Sequence, residues 1–141
     1  MKDLYNNIAA VSLLDPIAVS ATQTITDIDL AGYNSCVLLI SCGLDASMAA
    51  EHKIVFVLSD SDDGTTYAAV EDADMLGVSD ITSGTILSID NVNTEDNTIS
   101  KFGYVGGKRY LQLVGTVTGT TDPPVSIVLI KGHPQDSPAI S

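Results

Sequence analysis

Apolar and polar residues alternate with a period of two along much of this chain, the pattern of strands with one face buried and the other wet. Residues 24–30 read Thr-Ile-Thr-Asp-Ile-Asp-Leu, and Ile17 and Val19 alternate just before them. Beyond Arg109, the residues Tyr110, Gln112, Val114 and Thr116 fall on one face, with Leu111, Leu113 and Gly115 on the other. Residues 36–42 and 53–58 break the alternation as nearly continuous apolar runs of strand length. Such runs predict strands covered on both faces, by a second sheet or by another subunit.

Turn chemistry separates these segments. Ala31-Gly32-Tyr33-Asn34 marks one turn, and residues 118–124, rich in Gly, Thr and Pro, connect the strand after Arg109 to a last strand over 125–130. Gly106-Gly107 predicts a bulge or tight turn after Tyr104-Val105. Residues 43–52 suit one helical turn or a loop. The stretch 68–100 is the least regular, with Glu71, Asp72, Asp74, Asp80, Asp90, Glu95 and Asp96 and a brief strand signal at 85–89. Long, solvated acidic loops are expected there. The sum is roughly seven or eight short strands, hence an all-β fold: an antiparallel β-sandwich or small jelly roll.

The expected organisation is an N-terminal arm over 1–16, a sandwich domain over 17–134 and a C-terminal tail over 135–141. In the arm, Leu4, Ile8 and Val11 are spaced for a helix face, but Asn6-Asn7 and Pro16 argue against a long helix.

Composition sharpens this picture. A chain of 141 residues that is 45% hydrophobic can bury a core of its own, and with 5% aromatics and no Trp that core is aliphatic. Eighteen acids against six bases give a net charge of −12, which repels nucleic acid and anionic lipid, so neither is an expected partner. Met1-Lys2-Asp3-Leu4 lacks the start of a signal peptide, and no run approaches the ~20 apolar residues of a membrane helix. On one strand Cys36 and Cys42 would stand about 20 Å apart, beyond disulfide reach, so reduced, buried thiols are expected, as in a cytosolic setting.

Reaction chemistry finds little anchorage. Asp60-Ser61-Asp62-Asp63-Gly64 invites a calcium reading, yet Gly64 falls where an EF-hand ligand belongs, and an Asp-rich turn explains the same residues. His52 and His133 show no ligand spacing with the cysteines. No G-x-S-x-G elbow is present, and Gly106-Gly107-Lys108-Arg109 is followed by a strand instead of the helix of a P-loop. The shortage of aromatics counts against a glycan-binding module. The chain is therefore expected to be no enzyme, with no cofactor and no metal.

Three phrases carry a resemblance. They are Asp60-Ser61-Asp62-Asp63-Gly64-Thr65-Thr66-Tyr67 after an apolar strand, Gly103-Tyr104-Val105-Gly106-Gly107-Lys108-Arg109-Tyr110-Leu111-Gln112-Leu113, and Val125-Ser126-Ile127-Val128-Leu129-Ile130 running into Gly132-His133-Pro134. Their series, over residues 31–134, resembles small virion proteins of tailed bacteriophages, among them head decoration or cement proteins. The resemblance implies a non-catalytic structural protein on the outer capsid surface, made in the bacterial cytoplasm, with the major capsid protein as partner. Homo-oligomerisation, as dimer or trimer, is expected from strands that look buried on both faces. Contact residues are expected at Leu4, Tyr5 and Ile8 from terminal position and composition, and at Lys108 and Arg109 as bases on an acidic domain. The other classes implied are a tail-associated or host-surface adhesion module and a head-completion or tail-tube component.

Overall fold

In the computed structural model, which describes residues 3–43, 45–90 and 98–136, the alternating segments form ten strands. In chain order they are Ile8–Ala18 (β1), Gln23–Asp29 (β2), Tyr33–Cys42 (β3), Lys53–Ser61 (β4), Ala68–Ala69 (β5), Met75–Leu76 (β6), Thr85–Ile89 (β7), Thr98–Tyr104 (β8), Tyr110–Thr118 (β9) and Pro124–Pro134 (β10). The first sheet runs β1-β10-β3-β8-β6. The second runs β2-β9-β4, with β5 and β7 sharing the far edge of β4. All pairings are antiparallel.

The pairs β1–β10, β2–β9, β3–β8 and β4–β7 are nested, and successive pairs lie in alternate sheets. A long ribbon wound in this way is a jelly roll. Period-two patterning makes it possible. Leu38, Ile40, Ile127 and Leu129 point inward from the first sheet, and Ile54, Phe56, Leu58, Leu111 and Leu113 from the second, all essentially without solvent contact. Each such side chain contributes about 1.5–3 kcal/mol of burial, so aliphatic packing holds the two sheets together.

The apolar runs at 36–42 and 53–58 prove to be covered on one face only within the chain. Leu38, Ile40, Ile54 and Phe56 are buried, while Val37, Leu39, Val55 and Val57 point outward and are half-buried. Cys36 and Cys42 both lie on the unbroken β3 with buried side chains. Burial pushes the Cys36 thiol up to about 11.

The expected arm over 1–16 is corrected. Ile8 onward is strand β1, paired along its length with β10, and Val11, Leu13 and Leu14 pack on the core. The edge of β10 presents backbone donors and acceptors that a neighbouring strand satisfies, and this outweighs the helix-like spacing of Leu4, Ile8 and Val11. Before β1 there is a single 3₁₀ turn, Tyr5–Asn7, organised by the Asp3 carboxylate, which accepts from Asn6 N–H at 3.1 Å and Asn6 Nδ2 at 2.7 Å.

The irregular stretch 68–100 is more structured than its composition suggests, holding β5, a 3₁₀ turn at Asp72–Asp74, β6 and β7. Glu71, Asp72, Asp80 and Asp90 are exposed there, whereas Glu95 and Asp96 lie outside the described residues. Residues 137–141 of the expected tail also lie outside them. Its first residue, Gln135, donates its N–H to Gly32 O at 2.9 Å and so belongs to the domain.

At the end of the sandwich where β1 finishes, Asp45 ties two loops together. Its carboxylate accepts from the Thr121 hydroxyl, Ser47 Oγ and N–H, and Asp122 N–H at 2.5–2.8 Å. These donors, Thr121 foremost, hold it well below the usual carboxylate range.

Candidate functional site

Strand direction collects the resemblance-bearing phrases at the opposite end of the sandwich. There β1, β3 and β9 begin and β2, β4, β8 and β10 finish, as the pairing of Ile8, Gly132 and Ser35 and that of Cys36 with Tyr104 require. The acidic turn after β4, the Gly106-Gly107 turn between β8 and β9, and the Gly132-His133-Pro134 end of β10 are therefore neighbours in space. All five contact residues read from the sequence fall at this end. Leu4 and Tyr5 are 65% and 87% exposed, Ile8 is half-buried, and Lys108 and Arg109 are exposed.

Its centre is a buried polar clamp between the sheets. The Tyr104 hydroxyl on β8 donates to Asp60 Oδ2 on β4 at 2.7 Å, and the same hydroxyl oxygen accepts the Lys108 N–H at 3.1 Å. Both side chains are buried, Asp60 being 8% exposed. Burial first, and then the adjacent Asp60 carboxylate, pushes the Tyr104 phenol up. A buried carboxylate is tolerated because a donor meets it there. The sequence reading weighs Asp60 in its acidic turn and Tyr104 in a strand phrase, but does not bring the two together. Asp60 sits at an inward position of a period-two strand, a misplaced polar residue that could have been noticed.

Around the clamp the charges are matched in pairs. Lys108 Nζ meets Asp62 Oδ2 at 2.5 Å. Arg109 meets Asp29 with two bonds, Nε to Oδ1 at 3.0 Å and Nη2 to Oδ2 at 2.9 Å, while its guanidinium lies 4.8 Å from the centre of the Tyr110 ring. The Arg109 bond holds Asp29 below the usual carboxylate range, and each base is held above its ordinary value by its own aspartate. The sequence reading placed these bases against acidic loops or a partner, and in the structure their carboxylates come from this domain.

The acidic turn is built from the same economy of donors. Asp63 Oδ1 accepts from the N–H groups of Thr65 and Thr66, both at 2.9 Å, and from Ser61 Oγ at 2.9 Å. Those N–H bonds keep its pKa low. Gly64 adopts φ +75 beneath the Tyr110 ring. Asp60, Asp62 and Asp63 thus each have an internal donor, and among the described residues no three His, Cys, Asp or Glu side chains converge as a metal site.

A shallow cleft of about 320 Å³ opens beside the clamp, lined by Leu30, Tyr33, Ser35, Tyr104, Lys108 and Arg109 among others. At its margin Ser35 Oγ lies 2.7 Å from His133 Nδ1, with His133 in the left-handed region at φ +51. A serine nucleophile needs a base that is itself oriented by an acid. No carboxylate among the described residues bonds His133. Among the described residues, therefore, no acid completes a triad with Ser35 and His133. Val105, 54% exposed on the intervening turn, adds an apolar tip.

No protein-family model matches the chain, and no curated protein matches it. Among solved structures, a chain from Bacillus endospore appendages, described as forming a novel family of disulfide-linked pili, is similar. It shows 12% identity over 96% of this chain and 98% of its own, with a TM-score of 0.48.

Proposed function

We propose that this chain is a non-catalytic structural subunit of a tailed-phage virion, decorating the outer capsid surface and stabilising the head. One observation carries the reading furthest. Two of the phrases that resemble small virion proteins, far apart in sequence, are bonded to each other through Tyr104–Asp60 and Lys108–Asp62, and the Gly132-His133-Pro134 end of the third lies at the same end of the jelly roll. At the same end Leu4, Tyr5 and Val105 stand out as exposed apolar side chains available to a partner.

A subunit that binds the assembled shell and not its dissociated parts shifts the equilibrium toward the intact shell. Lattice symmetry repeats each modest contact many times. No catalysis is needed for this role. The major capsid protein is the expected partner.

The test is the copy number and position of the protein in purified particles, by quantitative mass spectrometry and electron cryomicroscopy of one sample. Hundreds of copies on the outer face are expected, with occupancy lowered by the Leu4→Ala, Tyr5→Ala double variant. A few copies at the tail or a vertex overturn the reading in favour of adhesion or head completion.

A further inference from the structure

The outer face of the first sheet is an apolar surface in an acidic protein. Pairing registers align Ala10, Ile130, Val37, Gly103 and Leu76 in one line across all five strands. The next line holds Ser12, Val128, Leu39 and Lys101. Their sequence neighbours Ala9, Leu129, Leu38, Phe102 and Met75 are buried, so both lines point away from the core. Ile99, on the same face of β8, is 68% exposed, and Leu76 is 60% exposed. Although the chain holds 18 acids, the aligned outward positions of these lines carry one charge, Lys101 at the β8 side. The carboxylate bordering them, Asp15, lies at the β1 side, where Ser12 Oγ donates to it at 2.7 Å.

We propose that this face is a self-association surface, on which a second copy packs sheet to sheet about a two-fold axis. Three observations select a second copy. First, size is sufficient: the four strands β1, β10, β3 and β8, of 11, 11, 10 and 7 residues and about 4.8 Å apart, span about 600 Å² per copy, so two faces bury about 1,200 Å², the lower end of stable interfaces. Second, copies with a net charge of −12 repel each other, and this face keeps carboxylates out of the contact except Asp15 at its β1 border, where the two-fold brings up Lys101 of the other copy. Third, the charges are self-complementary. A two-fold running along the strands superposes the β1 edge of one copy on the β8 edge of the other while keeping each line in register. Lys101 of each copy then meets the Ser12–Asp15 pair of its partner. An isologous contact of this kind closes at two subunits.

The proposal stands on the fold and does not depend on capsid decoration: a solution dimer absent from shells leaves it intact, whereas it ends the decoration reading. Sedimentation equilibrium of the purified full chain tests it, with circular dichroism confirming that each variant is folded. The wild-type chain is expected to be a dimer. Lys101→Glu is expected to raise the dimer dissociation constant about tenfold or more, Asp15→Lys added to it to restore most of the affinity, and Lys53→Glu on the second sheet to change it little. Leu39→Glu, whose new carboxylate has Lys101 as a cross-strand neighbour in the monomer, is expected to be monomeric. A wild-type chain that stays monomeric at all concentrations, whether or not it binds shells, overturns the proposal. So does a trimer or ring, or a charge swap that fails to restore association.

Discussion

Tyr104 illustrates how a single hydroxyl decides whether a buried charge is tolerated. It donates to Asp60, accepts from Lys108 N–H and so ties β8, β4 and the turn between β8 and β9 into one junction. Tyr104→Phe removes the donor while leaving the carboxylate in place, and an unmet buried acceptor costs about 1–3 kcal/mol. The expected outcome is a lower urea midpoint with an unchanged slope. Lys108→Ala is the useful contrast, because its pair with Asp62 is exposed on both sides and such pairs contribute little to stability. Equal midpoints for Tyr104→Phe and wild type would show that the clamp does not hold the sheets together.

Strand β1 shows that an element takes its conformation from what it pairs with. Residues 8–14 contain helix-compatible Ala and Leu, yet they run along β10, with a register shift between Ser12 and Leu14 that turns Leu14 toward Ile127. The bulge and Pro16 leave the outer edge of β1 poorly suited to further pairing. Removing residues 1–7 is therefore expected to leave thermal stability nearly unchanged. Removing residues 1–14 uncovers most of β10 and exposes core around Val11, Leu13 and Leu14, so cooperative unfolding should be lost. Calorimetry on the two truncations separates these outcomes, and a cooperative transition in the longer deletion would show that β1 is dispensable.

At the scale of the molecule, the wound ribbon makes nearly every strand pair non-local. β1 closes against β10 and β2 against β9, so both ends of the chain are needed to complete the two sheets. Loop closure on this scale precedes the contacts that reward it, and such all-β topologies refold on the order of milliseconds to seconds. Stopped-flow refolding monitored by tyrosine fluorescence is expected in that range. A microsecond phase carrying the full amplitude would contradict the nested pairing. The same winding gathers the Tyr104–Asp60 clamp and its flanking turns at one end and leaves the first sheet's outer face uncovered, so the surfaces proposed for partner binding and for self-association are distinct.

Period-two alternation, aliphatic composition and Gly-, Asp- and Pro-rich turns were enough to read an all-β sandwich, because each is a local consequence of strand geometry and backbone sterics. They also located β2, β7 and β9 to within a residue or two, and the centres of β3, β4 and β10, each of which runs three or four residues further at one end. Leu4 and Tyr5 stood out in the sequence by terminal position and composition alone, and their exposure is known from the fold. What lay beyond reach was relational. The sequence of β1 does not reveal that β10 needs an edge partner, the inward Asp60 does not name Tyr104 as its donor, and Lys108 and Arg109 do not announce Asp62 and Asp29. Continuous apolar runs predicted two covered faces, whereas within the chain only one face of β3 and of β4 is covered, because which layers stack is decided by how the strands become neighbours. Those choices follow from long-range packing, where the free energy lies in pairs of residues and not in either residue alone.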